Sequence, residues 1–336
     1  MDLFDKYLLR WRRRRWLYRA VRKRRQLKPI SNRTDTIRTD DILLCVTVRD
    51  EMLRLPYFLK YYRNLGVEHF LIIDNGSTDG TVNYLKDQRD VSIWRTKASY
   101  KRARFGVDWI NWLLLRYARN HWVITVDVDE FFVYPFCDTR SLRALTDWLD
   151  SSDMPSFGAM MLDMYPKGSI DQVPYRSGQD PMEILSWFDA GNYSITRNPK
   201  FKNLWIQGGP RSRVFFSENP HQAPALNKLP LVKWDWRYAY ESSTHMLLPR
   251  SLNVTYERNG GEVASGILLH TKFLPTFDGK VAEEMVRNQH YGNSKEYKTY
   301  HDGLQDNPEF WCKWSEKYIN WRQLEILGLM SKGNWA

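Results

Sequence analysis

From residue 41 onward the chain alternates between two kinds of apolar pattern. Residues 42–48 (ILLCVTV) form a short, continuously apolar, β-branched run, as in a strand buried on both faces. Residues 53–65 (LRLPYFLKYYRNL) carry apolar side chains at helical spacing, with Pro56 tolerated near the start and Gly66 placed to close the helix. A second strand is expected over 67–74. The turn 76–81 (GSTDGT) follows, and its Ser77 and Asp79 can cap a helix starting near Thr81. Residues 91–94 predict a third strand, 103–120 an aromatic-rich helix and 122–127 a further strand. Strands alternating with helices over 41–130 predict an α/β fold, a mainly parallel sheet with flanking helices on both faces.

The flanks differ. Residues 1–28 read as a helix, with Phe4, Tyr7, Leu8, Trp11, Leu17 and Val21 recurring among arginines. Residues 29–41, rich in Ser, Thr, Asn and Asp, read as a linker. Gly-, Pro- and Asn-rich clusters over 131–270 predict loops and shorter strands. Helical spacing returns over 280–330 with Trp311, Trp314 and Trp321, expected to pack across the body. The expected organisation is a basic helix and linker (1–40), a main domain (41–275, with halves 41–135 and 136–275) and a C-terminal helical extension (276–336).

Charge sharpens this division. Of the net +11 on 336 residues, residues 1–28 supply +10, twelve Lys and Arg against Asp2 and Asp5. The nearly neutral remainder argues against a DNA-binding body. A basic amphipathic helix bearing Trp can lie on an anionic membrane surface, contact RNA, or stay solvated. Fifteen Trp, nineteen Tyr and fifteen Phe suit a site that stacks sugars or bases, and equally a large core. Cys45, Cys137 and Cys312 are widely spaced and form no CxxC pair, so a reducing compartment is expected. No run reaches the roughly 18–20 apolar residues of a membrane span, and residues 1–28 lack the apolar core of a secretory signal. The expected location is cytoplasmic, with residues 1–28 available to the inner face of the cell membrane.

In open parallel sheets, ligands collect at the carboxyl ends of strands. Three polar clusters fall there: Thr47 to Glu51, Asp74 to Asp79, and Asp127-Val128-Asp129-Glu130. The first strand is followed by neither GxGxxG nor GxxxxGK[ST], which leaves a dinucleotide or P-loop site unsupported. A nucleotide held through carboxylates and Mn²⁺ or Mg²⁺ fits these residues better, because hard cations take oxygen ligands and bridge diphosphates. The bland alternative for the acidic triplet is a solvated turn.

VTVRDE, LGVEHFLIIDNGSTDGT and VITVDVDEF, in this order and spacing, resemble the family 2 glycosyltransferases of the GT-A (Rossmann-like) fold. The likeness covers residues 41–135, and more weakly reaches about 275 through GGPRSRVF, LPLVKW, SSTHMLLP and LLHTKFL. Asp50 stands where the family usually has Asn. The resemblance implies a metal-assisted, inverting transfer in polysaccharide biosynthesis. The donor would be a nucleotide-diphosphate sugar, a UDP-sugar first, and the acceptor a glycan or a lipid-linked intermediate. Thr47 with its neighbours Arg49 and Glu51 would line the nucleotide pocket, and Asp74 beside Asn75 would accept a hydrogen bond from the base. Asp127 would sit by ribose and metal, and Asp129 would ligate the metal.

Later candidates are less constrained. His270 and Lys272 could offer an imidazole to the metal and an ammonium to the phosphates, as in other GT-A enzymes; His270 could equally be a hydrogen-bonded strand end. Arg211 and Arg213 could clamp phosphate or simply occupy a surface loop. A general base is needed to deprotonate the acceptor hydroxyl. Glu241, His245 and Asp235 in KWDWRYAYESSTH are candidates, although the two carboxylates could pair with nearby arginines. Three rivals remain: a nucleotidyltransferase with a GT-A-like core, a non-catalytic nucleic-acid-binding protein acting through the arginine-rich arm, and a degenerate transferase fold acting as a scaffold.

Overall fold

The computed structural model describes residues 3–170, 174–258, 261–287, 289, 295–305 and 308–335. The chain begins with α1 (Leu3–Lys23), β1 (Lys28–Ser31), β2 (Leu43–Val48), α2 (Leu55–Leu65), β3 (His69–Asp74) and α3 (Thr81–Lys86). It continues through β4 (Val91–Arg95), α4 (Val107–Tyr117), β5 (Trp122–Thr125), β6 (Glu130–Val133), α5 (Leu142–Ser151) and β7 (Ser156–Asp163). Shorter elements follow: β8 (Trp187–Asp189), β9 (Tyr193–Arg197), β10 (Leu204–Gly208), α6 (Gly209–Phe215) and β11 (Asn227–Lys233). Next are β12 (Ala239–Ser242), β13 (Met246–Leu248), β14 (Glu257–Arg258), β15 (Gly261–Glu262) and β16 (Gly266–His270). The last are α7 (Phe277–Arg287), α8 (Lys295–Leu304), β17 (Ser315–Lys317) and α9 (Trp321–Ile326).

Nine strands share one sheet in the order β1-β4-β3-β2-β5-β11-β7-β16-β6. Strands β4, β3, β2 and β5 are mutually parallel, as the alternation of 41–130 predicts. Beyond them β11 is antiparallel to both β5 and β7, β16 is parallel to β7, and β6 closes the far edge. The protein is a mixed α/β fold with a large central sheet and flanking helices.

The continuous apolar run of β2 is explained by its two covered faces. Leu44, Val46 and Val48 pack with Phe58, Leu59 and Tyr62 of α2 and with Leu142, Leu145 and Leu149 of α5. Leu43 and Cys45 pack on the opposite face with Trp109, Leu113 and Leu114 of α4. Each such side chain contributes about 1.5–3 kcal/mol on full burial. Helix α2 starts at Leu55 with Pro56 in its first turn, and ends where Gly66, at φ 111°, donates its N–H to the Tyr62 carbonyl.

Two expectations change. Lys28–Ser31, of which 29–31 read as linker and Lys28 as the end of the helix, pairs antiparallel with β4 at the sheet edge, where Pro29 is tolerated because an outermost strand needs no donor on its free side. Residues 3–28 are not loose either. α1 lies against α4, with Ala20 and Leu9 buried, Arg19 Nη2 2.8 Å from Asp108, and the Trp109 indole donating to Gln26 at 2.9 Å. At the other end, Trp321 packs at a tilt against Phe136, ring centres 4.7 Å apart, and donates to Asp138, so that part of the C-terminal segment does pack across the body.

Antiparallel β11 carries the register that matters for chemistry. Its Lys233 lies opposite Trp122, the first residue of β5, so its other end, Asn227-Lys228, reaches the edge where β5 and β7 finish. Asp74, Asp163 and His270 end β3, β7 and β16 at that same edge, and Glu130 begins β6 there.

Candidate active site

A line of four ionisable side chains runs along this edge. Arg211 Nε donates to Asp163 Oδ2 at 2.7 Å, and His270 Nδ1 donates to Asp163 Oδ1 at 2.6 Å. His270 Nε2 stands 3.5 Å from Asp129 Oδ2. Adjacent strand ends set the spacing, since His270 is in register with both Asp163 and Glu130. The Asp129 backbone carbonyl also accepts from Thr271 N–H at 2.7 Å, fixing the DVDE turn to the end of β16. Burial alone would raise the Asp129 carboxyl, but His270, Arg54 and Lys272 outweigh it and hold the group well below the usual carboxylate range. Burial likewise works against the His270 imidazolium, and Asp129 and Asp163 overcome it, raising its pKa.

Beside this line, the buried Lys228 ammonium pairs with Glu130 Oε1 at 2.9 Å and stands 3.5 Å from Asp127 Oδ2. Burial opposes the ammonium, while Glu130 and Asp127 raise its pKa overall. Glu130 Oε2 also accepts the Asp127 backbone N–H at 3.1 Å. Three carboxylates within four residues are therefore tolerated because cations from three other elements face them.

The turn after β2 joins the loop after β3. Asp50, in the left-handed region at φ 48°, accepts from Thr78 N–H at 2.6 Å, and its own N–H donates to Ser77 Oγ. Asp79 accepts from both Thr81 N–H and Met52 N–H, so the capping expected of this loop is partly spent on the neighbouring turn. Arg49 Nη1 donates to the Asn75 carbonyl at 3.0 Å, and the Asn75 side chain donates to the Thr96 and Ala98 carbonyls. The Thr47 hydroxyl is buried with no hydrogen-bond partner among the described residues. Helix α7 lies across these loops. Lys280 pairs with Glu51, and Glu283 sits 3.3 Å from Arg49 Nε. Arg54, itself buried, pairs with Glu51 at 3.3 Å. Lys272 lies 5.0 Å from the centre of the Tyr300 ring.

No family model matches the sequence, and no curated protein matches it. Among solved structures, 4-diphosphocytidyl-2C-methyl-D-erythritol synthase overlies 43% of this chain and 67% of its own, at 16% identity and a TM-score of 0.25. At that score, function has to be read from the side chains.

Several expected site residues are placed elsewhere. Glu241 is buried under α1, paired with Arg12 and accepting the Trp16 indole N–H, because β12 faces that helix. Asp235 follows the far end of β11, at the opposite edge of the sheet, and forms a local pair with Arg237 at 2.7 Å. Arg213 makes a two-pronged contact with Asp189 at 3.0 and 3.2 Å, holding β8 to α6. Asp74 is fully buried, accepting the Gly76 and Ser77 N–H groups and standing 3.0 Å from Arg95 Nε, so its carboxylate is engaged by its own loop and by Arg95. Asp127 turns to Lys228, and among the described residues no three His, Cys, Asp or Glu side chains group to hold a metal. Of the three expected ligands, Asp129 and His270 face each other, while Asp127 faces Lys228.

Of the three proposed bases, only His245 reaches the edge. Its Nδ1 lies 2.6 Å from the Asn227 carbonyl, an acceptor, so Nδ1 carries the proton and Nε2 the lone pair. Burial, then Lys228, pushes its pKa down to about 3. Glu241→Gln is expected to leave turnover unchanged and to loosen α1 by about 1 kcal/mol, since the Arg12 side of that pair is screened by solvent. Steady-state rates and limited proteolysis within α1 check both halves of this expectation.

Arg54, Lys228, Asp163 and Lys280 were not expected at the site. The sequence holds a faint signal for two of them: Asp163 ends the apolar run FGAMML, and Lys228 stands alone at the start of one, each a charge with no adjacent partner.

Proposed function

We propose that this protein is a glycosyltransferase that moves a sugar from a nucleotide-diphosphate donor, a UDP-sugar first, to a hydroxyl of a glycan or lipid-linked acceptor. The observation that carries this reading is the ionised Asp129 at the sheet's carboxyl edge, facing His270 and ringed by Arg54 and Lys272. Such a site has both signs of charge within reach of a diphosphate and its counter-cation. The unpartnered Thr47 hydroxyl at the end of β2 supports a ligand at this edge as well, since buried polar groups ordinarily find partners.

The donor set fits Mn²⁺ or Mg²⁺ in part. Asp163 fixes the His270 ring through Nδ1 and leaves Nε2 toward Asp129, the arrangement that orients a metal-ligating histidine. Asp129 and His270, the latter after giving up its Nε2 proton, would hold the ion, and the ion would neutralise charge developing on the diphosphate leaving group. Lys272 and Arg54 add fixed positive charge for the same oxygens. The acceptor hydroxyl attacks the anomeric carbon from the side opposite the leaving group, an inverting displacement, and its proton passes to solvent or to the departing diphosphate; His245 Nε2, with its pKa pushed down to about 3, is too weak a base to hold that proton and can orient the hydroxyl as a hydrogen-bond acceptor.

Incubating the protein with UDP-, GDP- and TDP-sugars, with and without Mn²⁺, tests this reading. Release of nucleoside diphosphate from one donor, stimulated by an acceptor glycan, is expected. Pyrophosphate release from a nucleoside triphosphate and a sugar phosphate, with no nucleotide-sugar turnover, would show nucleotidyl transfer instead.

A further inference from the structure

Helix α1 has two faces of opposite character. Leu9, Trp16 and Ala20 turn inward, with Trp16 beneath Arg104 at 3.9 Å and Arg19 on Asp108. On the opposite side Phe4, Tyr7, Trp11 and Tyr18 are 64, 54, 52 and 63% exposed, with Leu8 beside them. Their spacing, three or four residues at a time and then seven, places them in one stripe from Phe4 to Tyr18, roughly 21 Å at the α-helical rise. Arginines share this outer face: Arg14 lies 5.7 Å from the Trp11 ring and Arg22 5.8 Å from the Tyr18 ring. Two basic clefts open at the same end of the helix. One of about 290 Å³ is lined by Arg19, Arg22, Lys23 and Gln26, and one of about 350 Å³ by Tyr18, Val21, Arg22, Arg24 and Arg25.

We infer that the outward face of α1 binds the surface of an anionic phospholipid membrane, lying in its plane. Tyr and Trp are amphipathic rings suited to the headgroup level, while exposed Phe and Leu gain by entering the acyl boundary. The interleaved arginines complement negative headgroups, and the cationic walls of the two clefts add to that charge at the end of the helix. No helix among the described residues is long and apolar enough to cross a membrane, so this contact is peripheral. Because the inward face is already packed on α4, binding requires no rearrangement of the fold. The C-terminal turns of α1 abut Arg102 and Asp108, in the loop and first turn that follow β4. The carboxyl edge of the sheet therefore lies close to the bound surface. This inference does not depend on the reaction proposed above.

Co-sedimentation of the full chain with vesicles tests it. One set is phosphatidylcholine alone and the other contains about one third phosphatidylglycerol, each at low and high salt. The intact protein is expected to pellet with the anionic vesicles and at least about tenfold less with the neutral ones, more so at low salt. Phe4→Ser/Tyr7→Ser/Trp11→Ser should lower anionic-vesicle binding by about tenfold or more without changing the melting temperature, because none of the three is buried. Arg14→Glu/Arg15→Glu, which spares the aromatic stripe, should lower it by a similar factor. Equal binding to neutral and anionic vesicles, or binding untouched by both variants, would overturn the inference. So would pelleting without vesicles that the variants abolish, which marks self-association, or pelleting removed by ribonuclease, which marks RNA.

Discussion

Asp129→Asn is expected to lower kcat for donor turnover by about a thousandfold while leaving the donor KM unchanged or reduced. The split follows from the charges. Asp129 is kept ionised against its own burial by His270, Arg54 and Lys272. Asparagine preserves the shape and the acceptor oxygen but removes the negative charge, leaving those cations in excess. An anionic diphosphate then still binds in the ground state. What is lost is the carboxylate that, with His270, would fix a divalent ion against the leaving group. Steady-state kinetics of nucleoside diphosphate release, with urea unfolding as a control on the fold, measures it. A kcat within a few-fold of the parent would contradict the proposed role.

Asp163→Ala should have the largest effect on stability, about 3–5 kcal/mol. Its carboxylate is almost fully buried and serves Arg211 Nε and His270 Nδ1 together, at 2.7 and 2.6 Å. Burial pushes that carboxyl up, and Arg211 and His270 more than reverse it, holding it below the ordinary range. Removing it strands two positive groups in a place water does not reach, at a cost that surface pairs never show. The more conservative Asp163→Asn keeps one acceptor and should cost less. Denaturant midpoints at constant slope give both values. A loss below about 1 kcal/mol for the alanine variant would mean that the line from Arg211 to Asp129 carries little of the site's rigidity.

The parallel half of the sheet was legible in the sequence because strands covered on both faces have no polar alternation to blur them, as Leu43 to Val48 demonstrates. The turns after β2 and β3 were legible through their short polar residues, although the particular exchange, Asp79 bonding Met52 and Asp50 bonding Thr78, was not. What escaped depends on distant partners. Asp163 and His270 are 107 positions apart, and only the parallel pairing of β7 with β16 brings them to one edge. Glu241 looked like a base beside aromatics, but its neighbours include Trp16 and Arg12 from the other end of the chain. The docked face of α1 was hidden for the same reason: Arg12 and Arg19 read as solvated residues until Glu241 and Asp108 are placed opposite them. Asp235 was misplaced by strand direction, since β11 runs antiparallel and carries it away from the edge that Lys228 reaches.

Anomalous diffraction from crystals grown with Mn²⁺ and UDP shows whether this edge holds donor and ion. A manganese peak is expected between the Asp129 carboxylate and His270 Nε2, with the diphosphate beside Arg54 and Lys272 and the nucleoside along the carboxyl ends of β2 and β3. Manganese and UDP found together at any other surface, with His270 still turned to an unaltered Asp129, would contradict it.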